Sequence, residues 1–176
     1  MSHAITHYDF ADKPRAYREL ARDLAALLAG ERDWIANAAN AAALIFSALP
    51  DLNWAGFYVP ARTAGGAREL IVGPFQGRPA CVRIPIGDGV CGTAAVRRET
   101  IVVPDVNAFD GHIACDSASR SEIVVPLLRT GVSGAAAFVG VLDVDSPRLA
   151  RFDDADRAGL EALAAIITAA SDWPAP

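Results

Sequence analysis

Six short runs of β-type residues, separated by glycine and proline turns, lie between helical segments, and this order limits the possible folds more than any other feature. Runs of this kind are rich in β-branched and aromatic residues and are bounded by turn residues. In chain order they are NWAGFYVP, RELIVGPF, CVRIPI, TIVVPDV, EIVVPLL and AAFVGVLDVDS. The last two are almost continuously apolar, which is typical of strands covered on both faces. Other elements must supply that cover.

Apolar residues recur at helical spacing in the segments that flank these runs. Residues 14–29 begin at a proline and end before a glycine, and the alanine-rich residues 31–49 stop before a proline. Residues 153–170 open with aspartates, which suit the positive end of a helix. A shorter helix is expected over residues 90–98. The elements predict an α+β sandwich: a largely antiparallel sheet of about six strands, with the N- and C-terminal helices on one face and loops and the short helix over the other.

Length and charge narrow the class of protein. A chain of 176 residues suits one domain spanning residues 1–176, with an N-terminal tail to about residue 12. Sixteen basic and 21 acidic residues give a net charge of −5, and no basic run could neutralise a row of phosphates, so a nucleic-acid partner is not expected. The sequence has neither a signal-peptide pattern nor a membrane-spanning apolar run. The protein is therefore expected in the cytoplasm, without a membrane partner.

The three cysteines, Cys81, Cys91 and Cys115, all lie between residues 79 and 126. In a reducing compartment an odd number of thiols does not form a closed disulfide framework, so a structural disulfide is not expected. Cys91 begins a helical segment, where the helix dipole lowers a thiol pKa, so local physics ranks it as the strongest nucleophile. Cys115 lies in the polar residues 107–120, hereafter the Cys115 loop, and Cys81 opens a strand. Burial as a small apolar residue is the alternative, favoured for Cys81 but not for Cys115.

A zinc site is a further alternative for the cysteines. His112 precedes Cys115 by three positions, and three cysteines with one histidine can bind zinc. Structural zinc sites usually contain closely spaced cysteine pairs, however, and the wide spacing in this chain argues against one. No bound metal is expected.

Acidic and aromatic residues in the β-type runs form a second candidate set. If the sixth run is a strand, Asp143 and Asp145 lie on one face, and Glu122 starts an adjacent strand. Carboxylates that share a pocket repel, which raises the pKa of at least one and lets it donate a proton. Asp145 could instead mark a strand end and turn. Trp54 and Tyr58 share a strand face, either as core or as an aromatic wall for an apolar or sulfur-bearing ligand.

Four segments carry these residues and together resemble the free methionine-(R)-sulfoxide reductases, a catalytic branch of the GAF-domain family. They are NWAGFYV, GPFQGRPACVRIPIGDGVCGTAA, DVNAFDGHIACDSASRSEIVVP and GVLDVDSP. The similarity runs from about Tyr17 to the last helix. It implies a GAF-like sandwich that reduces free L-methionine (R)-sulfoxide to methionine, and it also implies a homodimer. A non-catalytic GAF module that senses a small ligand is the alternative function.

The resemblance also implies roles for the thiols. The motif GHIAC supplies the nucleophile, Cys115, in place of Cys91. The motif PAC supplies the principal resolving thiol, Cys81, and GVCGTAA supplies Cys91 as an auxiliary or alternative one. Attack on the sulfoxide leaves a sulfenic acid, which a second thiol converts to a disulfide. Thioredoxin or a similar dithiol would reduce that disulfide, and no bound cofactor is implied.

The acids and aromatic residues take substrate-binding roles under the same resemblance. Glu122, Asp143 and Asp145 would hold the substrate ammonium and deliver a proton to the sulfoxide oxygen, whereas Trp54 and Tyr58 would enclose the side chain. Because a peptide-bound methionine has no such ammonium, the acids would also select the free amino acid.

Two long segments near such a pocket carry different expectations. The Cys115 loop is long and polar, and loops of this length within a domain are often functional, so it is the expected lid. Residues 130–139, TGVSGAAAFV, exceed the tight turn that the resemblance implies. They are expected to extend a hairpin away from the site.

Overall fold

A six-stranded antiparallel sheet lies at the centre of the computed structural model, which describes residues 7–113, 115–130 and 136–174. Its strands are β1 (Trp54–Arg62), β2 (Arg68–Gly77), β3 (Arg83–Pro85), β4 (Ile101–Val103), β5 (Ser121–Thr130) and β6 (Ala136–Ser146). They are ordered β3-β2-β1-β6-β5-β4, and every neighbouring pair is antiparallel. The predicted sheet is therefore confirmed, and each strand falls on one of the six runs.

The helices are α1 (Lys13–Leu27), α2 (Trp34–Ala48), α3 (Gly89–Arg97) and α4 (Asp154–Ala170). The three long ones begin after aspartates, Asp12, Asp33 and Asp153, whose side chains accept backbone N–H groups of the first turn. These caps satisfy donors that have no partner within a helix. Within the described part of the chain, no helix has the length and apolar character needed to cross a bilayer.

The two faces of the sheet are covered differently. On one face α2 lies against β1 and β2, α4 lies against β5, and α1 packs on α4. Alternate strand residues such as Phe57, Ile123 and Leu142 point into that layer and are fully buried. The other face is covered by α3, which contacts β5 and β6, and by loops. The predicted α+β sandwich is confirmed, and strand alternation leaves a second set of side chains beneath α3.

The hairpin that joins β5 to β6 is paired as far as Thr130 and Ala136. The long TGVSGAAAFV segment begins and ends in these strands. Residues 131–135, and with them the expected direction of this segment, lie outside the described residues, as does the start of the expected N-terminal tail, residues 1–6.

A buried carboxylate joins α1 to α4. Asp156, in the first turn of α4, is fully buried. Its Oδ1 accepts a hydrogen bond of 2.9 Å from the Tyr17 hydroxyl, and its Oδ2 accepts bonds from Lys13 Nζ at 2.6 Å and Arg151 Nη1 at 3.0 Å. One turn further on, Gly159 lets the Tyr17 ring lie directly on the helix, because a Cβ there would stand 2.1 Å from Tyr17 Cγ.

We expect Gly159→Ala to destabilise the protein, although alanine is the better helix former. Helix propensity alone would stabilise the variant by about 1 kcal/mol. Displacing the Tyr17 ring and its bond to Asp156 should outweigh this gain and leave a net loss of about 1 to 3 kcal/mol. Urea denaturation measures the change. Ala162→Gly, at an exposed position of the same helix, is the control and should lose about 1 kcal/mol. A Gly159→Ala variant more stable than wild type would contradict the packing described.

Candidate active site

A pocket opens beneath α3 on the sheet face that the long helices leave free. It contains about 520 Å³ of empty space, of which its open mouth is a part. Eight residues are predicted from the sequence to act in catalysis or substrate binding, and seven of them line this pocket: Trp54, Tyr58, Cys91, Cys115, Glu122, Asp143 and Asp145. The eighth, Cys81, is covalently joined to one of these. Residues far apart in sequence therefore meet at one place.

Cys81 and Cys115 form a disulfide across 34 positions of sequence, with their Cα atoms 5.3 Å apart. Both are half-buried, and the Tyr58 hydroxyl donates a 3.0 Å hydrogen bond to the Cys81 carbonyl, which anchors that side of the bond. This is the pair that the family resemblance implies. Composition favoured free thiols, but an odd count excludes only a closed framework and still allows one bond beside one free thiol.

Cys91 is that free thiol, and it lies at the buried end of the pocket. It is in the first turn of α3, as the sequence predicted. Burial raises the pKa of its thiol well above the usual value, and the acids Asp143, Glu122 and Asp145 raise it further. The local ranking of Cys91 as the strongest nucleophile is therefore wrong. The sequence showed its place at a helix end but not the burial, which outweighs the helix dipole.

The zinc site of three cysteines and one histidine does not form in this state. Cys81 and Cys115 bind each other, so their sulfurs are not thiolate ligands. His112 Nε2 instead lies 3.8 Å from a carboxylate oxygen of Glu122. Burial lowers the pKa of His112, which favours a neutral imidazole at that wall of the pocket.

Glu122, Asp143 and Asp145 form the predicted acidic cluster. Glu122 of β5 is the direct cross-strand partner of Asp145 of β6, and strand alternation places Asp143 on the same face. Burial raises the pKa of Asp143 to about 7. Burial also raises the pKa values of Glu122 and Asp145 well above the ordinary range, and the charges of the neighbouring acids raise them further. Protonated acids are therefore present in the pocket near neutral pH.

Aromatic rings line the pocket beside the acids, because Trp54 of β1 is the direct cross-strand partner of Asp145 of β6. Trp54 and Tyr58 are stacked with centroids 5.8 Å apart, and Phe75 stacks behind Trp54 at 5.3 Å. The close approach of Phe75 depends on Gly56, because a Cβ at that position would be 2.3 Å from Phe75 Cβ. The sequence identified the first two rings but not this support, which comes from the neighbouring strand.

Polar contacts that were not predicted from the sequence hold the Cys115 loop. Asn53, just before β1, donates to Asp116 Oδ2 at 3.1 Å and to Ser119 Oγ at 2.9 Å. Asp116 also accepts the Ala118 backbone N–H at 2.9 Å, and this bond does most to lower the pKa of its carboxyl. The polar composition of the loop was visible in the sequence, but its partner, 63 positions away, was not.

This chain is similar in sequence and in fold to GAF-domain proteins that include free methionine-R-sulfoxide reductases. The family model described as GAF domain matches residues 13–170. The free methionine-R-sulfoxide reductase of Escherichia coli (strain K12) is 49% identical over 88% of this chain and 87% of its own length. That of Saccharomyces cerevisiae is 42% identical over 94% of this chain and 92% of its own. The X-ray structure of free methionine-R-sulfoxide reductase from Neisseria meningitidis in complex with its substrate is 45% identical, covers 96% of this chain and 95% of its own, and superposes with a TM-score of 0.82.

The buried acids should make stability depend on pH. Because the pKa of Asp143 is about 7 in the folded protein and ordinarily 3.8, the folded state binds its proton more tightly. The resulting stabilisation is complete below about pH 4 and is lost as the pH rises through about 7. Asp143→Asn removes this loss. Its free energy of unfolding should exceed that of wild type increasingly over this interval, by an amount on the order of a few kcal/mol above pH 7.

Urea denaturation of oxidised protein across this pH range checks the expectation. Asp110→Asn, a change at an exposed acid of the Cys115 loop, is the matched control and should show no such widening difference. A difference between Asp143→Asn and wild type that is constant with pH would show that Asp143 titrates normally in the folded state.

Proposed function

This chain belongs to the GAF-domain family and, within it, to the free methionine-R-sulfoxide reductases, and from that premise we propose how it reduces free L-methionine (R)-sulfoxide to methionine. The observation that carries the proposal is the meeting of a loop cysteine and three buried carboxyl groups in one pocket. Cys115 and the acids Glu122, Asp143 and Asp145 line it together. A sulfoxide needs both groups at once: a sulfur to accept its oxygen and an acid to protonate that oxygen.

The first step is attack of the Cys115 thiolate on the sulfoxide sulfur. A bond forms between the two sulfurs, and a carboxyl group protonates the substrate oxygen. The sulfur–oxygen bond of the substrate then breaks and the hydroxyl passes to the Cys115 sulfur, while the bond between the two sulfurs breaks, so that methionine leaves and Cys115 becomes a sulfenic acid. The substrate sulfur gains two electrons and Cys115 loses two. Asp143, with a pKa raised by burial to about 7, can hold and release that proton near neutral pH, since a catalytic acid works best with a pKa near the working pH.

The same acids bind the substrate amino group. An ammonium among Glu122, Asp143 and Asp145 offsets the cost of their shared burial, which is the source of their raised pKa values. A methionine within a peptide has an amide nitrogen in place of the ammonium and cannot supply that charge. Specificity for the free amino acid follows from the pocket's own electrostatics. Trp54 and Tyr58 enclose the methionine side chain, where aromatic faces favour a polarisable sulfur.

The second step regenerates the enzyme. The Cys81 thiol attacks the sulfenic acid of Cys115, a disulfide forms, and water leaves. The bond between these two residues supports Cys81 as the principal resolving thiol. Cys91 is fully enclosed between acids that raise its thiol pKa, which makes it the poorer choice. A dithiol such as thioredoxin then reduces the disulfide by exchange and returns both thiols.

The choice of substrate is tested by supplying the two epimers of free methionine sulfoxide separately. NADPH consumption, coupled through thioredoxin and its reductase, should occur with the R epimer and be absent with the S epimer. N-acetylated methionine (R)-sulfoxide, which has no ammonium, should be turned over at a much lower rate. If neither free epimer supports turnover, the chain is better described as a GAF module that only binds a small ligand.

The two bonded cysteines should differ in a single-turnover experiment. Cys115→Ser should lose first-turnover methionine formation by at least about a thousandfold, because the nucleophile is gone. Pre-reduced Cys81→Ser should form methionine once and then fail to recycle with thioredoxin. Methionine is quantified after mixing with the sulfoxide, first without and then with the reductant. Val82→Ser, at the exposed neighbour of Cys81, is the control and should recycle as wild type. A first turnover in Cys115→Ser equal to that of wild type would overturn the assignment.

A further inference from the structure

Three groups of different chemistry converge at the buried end of the pocket. Cys91 Sγ and a carboxylate oxygen from each of Glu122 and Asp143 all lie within 4.8 Å of one another. They come from α3, β5 and β6, and their residues are only 3%, 6% and 6% exposed. Ligands from three separate elements, each covered by packing, hold a fixed arrangement better than groups on a mobile loop do.

One of these groups has a free oxygen. Hydrogen bonds from Cys91, Glu122 and the Val144 backbone limit the rise of the Asp143 carboxyl pKa, but the buried Oδ1 atom of this carboxyl finds no hydrogen-bond partner among the residues that the structure describes. A buried carboxylate oxygen without a partner is costly, and such atoms in a native structure usually mark a place for a ligand, an ion or water. Since Asp143 lines the pocket, this oxygen requires a donor or a cation from within it.

The adjacent thiol indicates which cation, other than the substrate ammonium, this group of side chains can bind. Carboxylates satisfy an ammonium, and a neighbouring thiol adds nothing to that contact. Mixed sulfur and oxygen ligands bind Zn²⁺ and similar transition metals, whereas Mg²⁺ and Ca²⁺ take oxygen ligands. Cys91 is outside the disulfide and has no part in the two steps proposed above. We propose that Cys91, Glu122 and Asp143 form a binding site for a zinc-like divalent ion.

The geometry allows three protein ligands and one open position. Bonds of about 2.0 to 2.3 Å in a tetrahedral zinc site place ligand atoms roughly 3.3 to 3.8 Å apart. The present separations, all within 4.8 Å, must shorten by at most about 1.5 Å to reach that spacing. His112 Nε2 lies 3.8 Å from Glu122 Oε2 but is not one of the three clustered groups, so the fourth position is left to water. On binding, the thiol and any protonated carboxyl group release their protons to solvent.

Occupancy of this site would block the reaction, a consequence that rests on the proposed function. Glu122 and Asp143 cannot bind a metal ion and the substrate ammonium at the same time. The bound ion would therefore inhibit in competition with substrate, and a chelator would restore the rate. Binding of the ion itself does not depend on the reductase activity and can be measured without it.

The experiment adds Co²⁺ to the full chain with its Cys81–Cys115 disulfide intact, so that Cys91 is the only free thiol of the three cysteines. One equivalent should bind with the near-ultraviolet charge-transfer absorption of a cobalt–thiolate bond, and Zn²⁺ should displace it. Cys91→Ser should abolish the absorption and weaken Zn²⁺ binding at least about tenfold. Asp110→Asn is the control and should bind as wild type. Cobalt bound without the thiolate absorption, or unchanged Zn²⁺ affinity in Cys91→Ser, would overturn the proposal.

A second variant and a competitor complete the test. Glu122→Gln keeps the thiol and the side-chain shape, so it should retain the fold, as circular dichroism will show, but lose at least about tenfold in Zn²⁺ affinity. Unchanged affinity in this variant would also overturn the site. Methionine should compete with Co²⁺, because its ammonium needs the same acids. If the thiolate absorption forms and methionine does not diminish it, the metal site is supported and the ammonium placement in the proposed function fails.

Discussion

The burial of three carboxyl groups on one face of a β-sheet is the constraint on which the rest of the site depends. Glu122 and Asp145 are cross-strand partners, and Asp143 lies two residues along the same face. Desolvation raises the pKa values of all three. A sheet can hold such groups only where its neighbours are rigid and a proton or a cation compensates them. Protonation, a bound ammonium and a bound metal ion are three ways to compensate the negative charge of these buried carboxylates.

The two faces of the sheet have different roles: one forms the apolar core, and the other carries the buried acids. The face beneath α2 and α4 buries the alternate apolar residues of β1, β5 and β6, and this burial supplies the stability that offsets the acids. The opposite face can then carry acidic side chains beneath α3, although their burial lowers the stability of the fold once they are ionised. Strand alternation thus allows one element, β6, to contribute Leu142 and Val144 to the core and its two aspartates to the pocket.

The three cysteines, all on the pocket side of the sheet, differ in character because they differ in burial and in bonding. Cys115 and Cys81 are half-buried and bonded to each other. Cys91 lies among the acids, where its pKa is raised. A helix N-terminus lowers a thiol pKa only when the thiol remains hydrated or gains a positive neighbour. Cys91 is buried, and the charged groups that shift its pKa are all acids. Its position at a helix N-terminus is therefore a poor guide to its reactivity.

The sequence by itself determined the elements, their order and the face of each strand, because these follow from local periodicity: the six runs became six strands, and Asp143 and Asp145 share a face as alternation requires. It also supplied the motifs that point to the family. Those motifs also implied the pairing of Cys81 with Cys115, which the structure shows as a disulfide. Only the tertiary structure decided which thiol is buried, that Asn53 holds the Cys115 loop and that Gly56 admits Phe75. These features depend on burial and on contacts between residues distant in sequence, and neither desolvation nor a long-range contact is encoded in any local pattern.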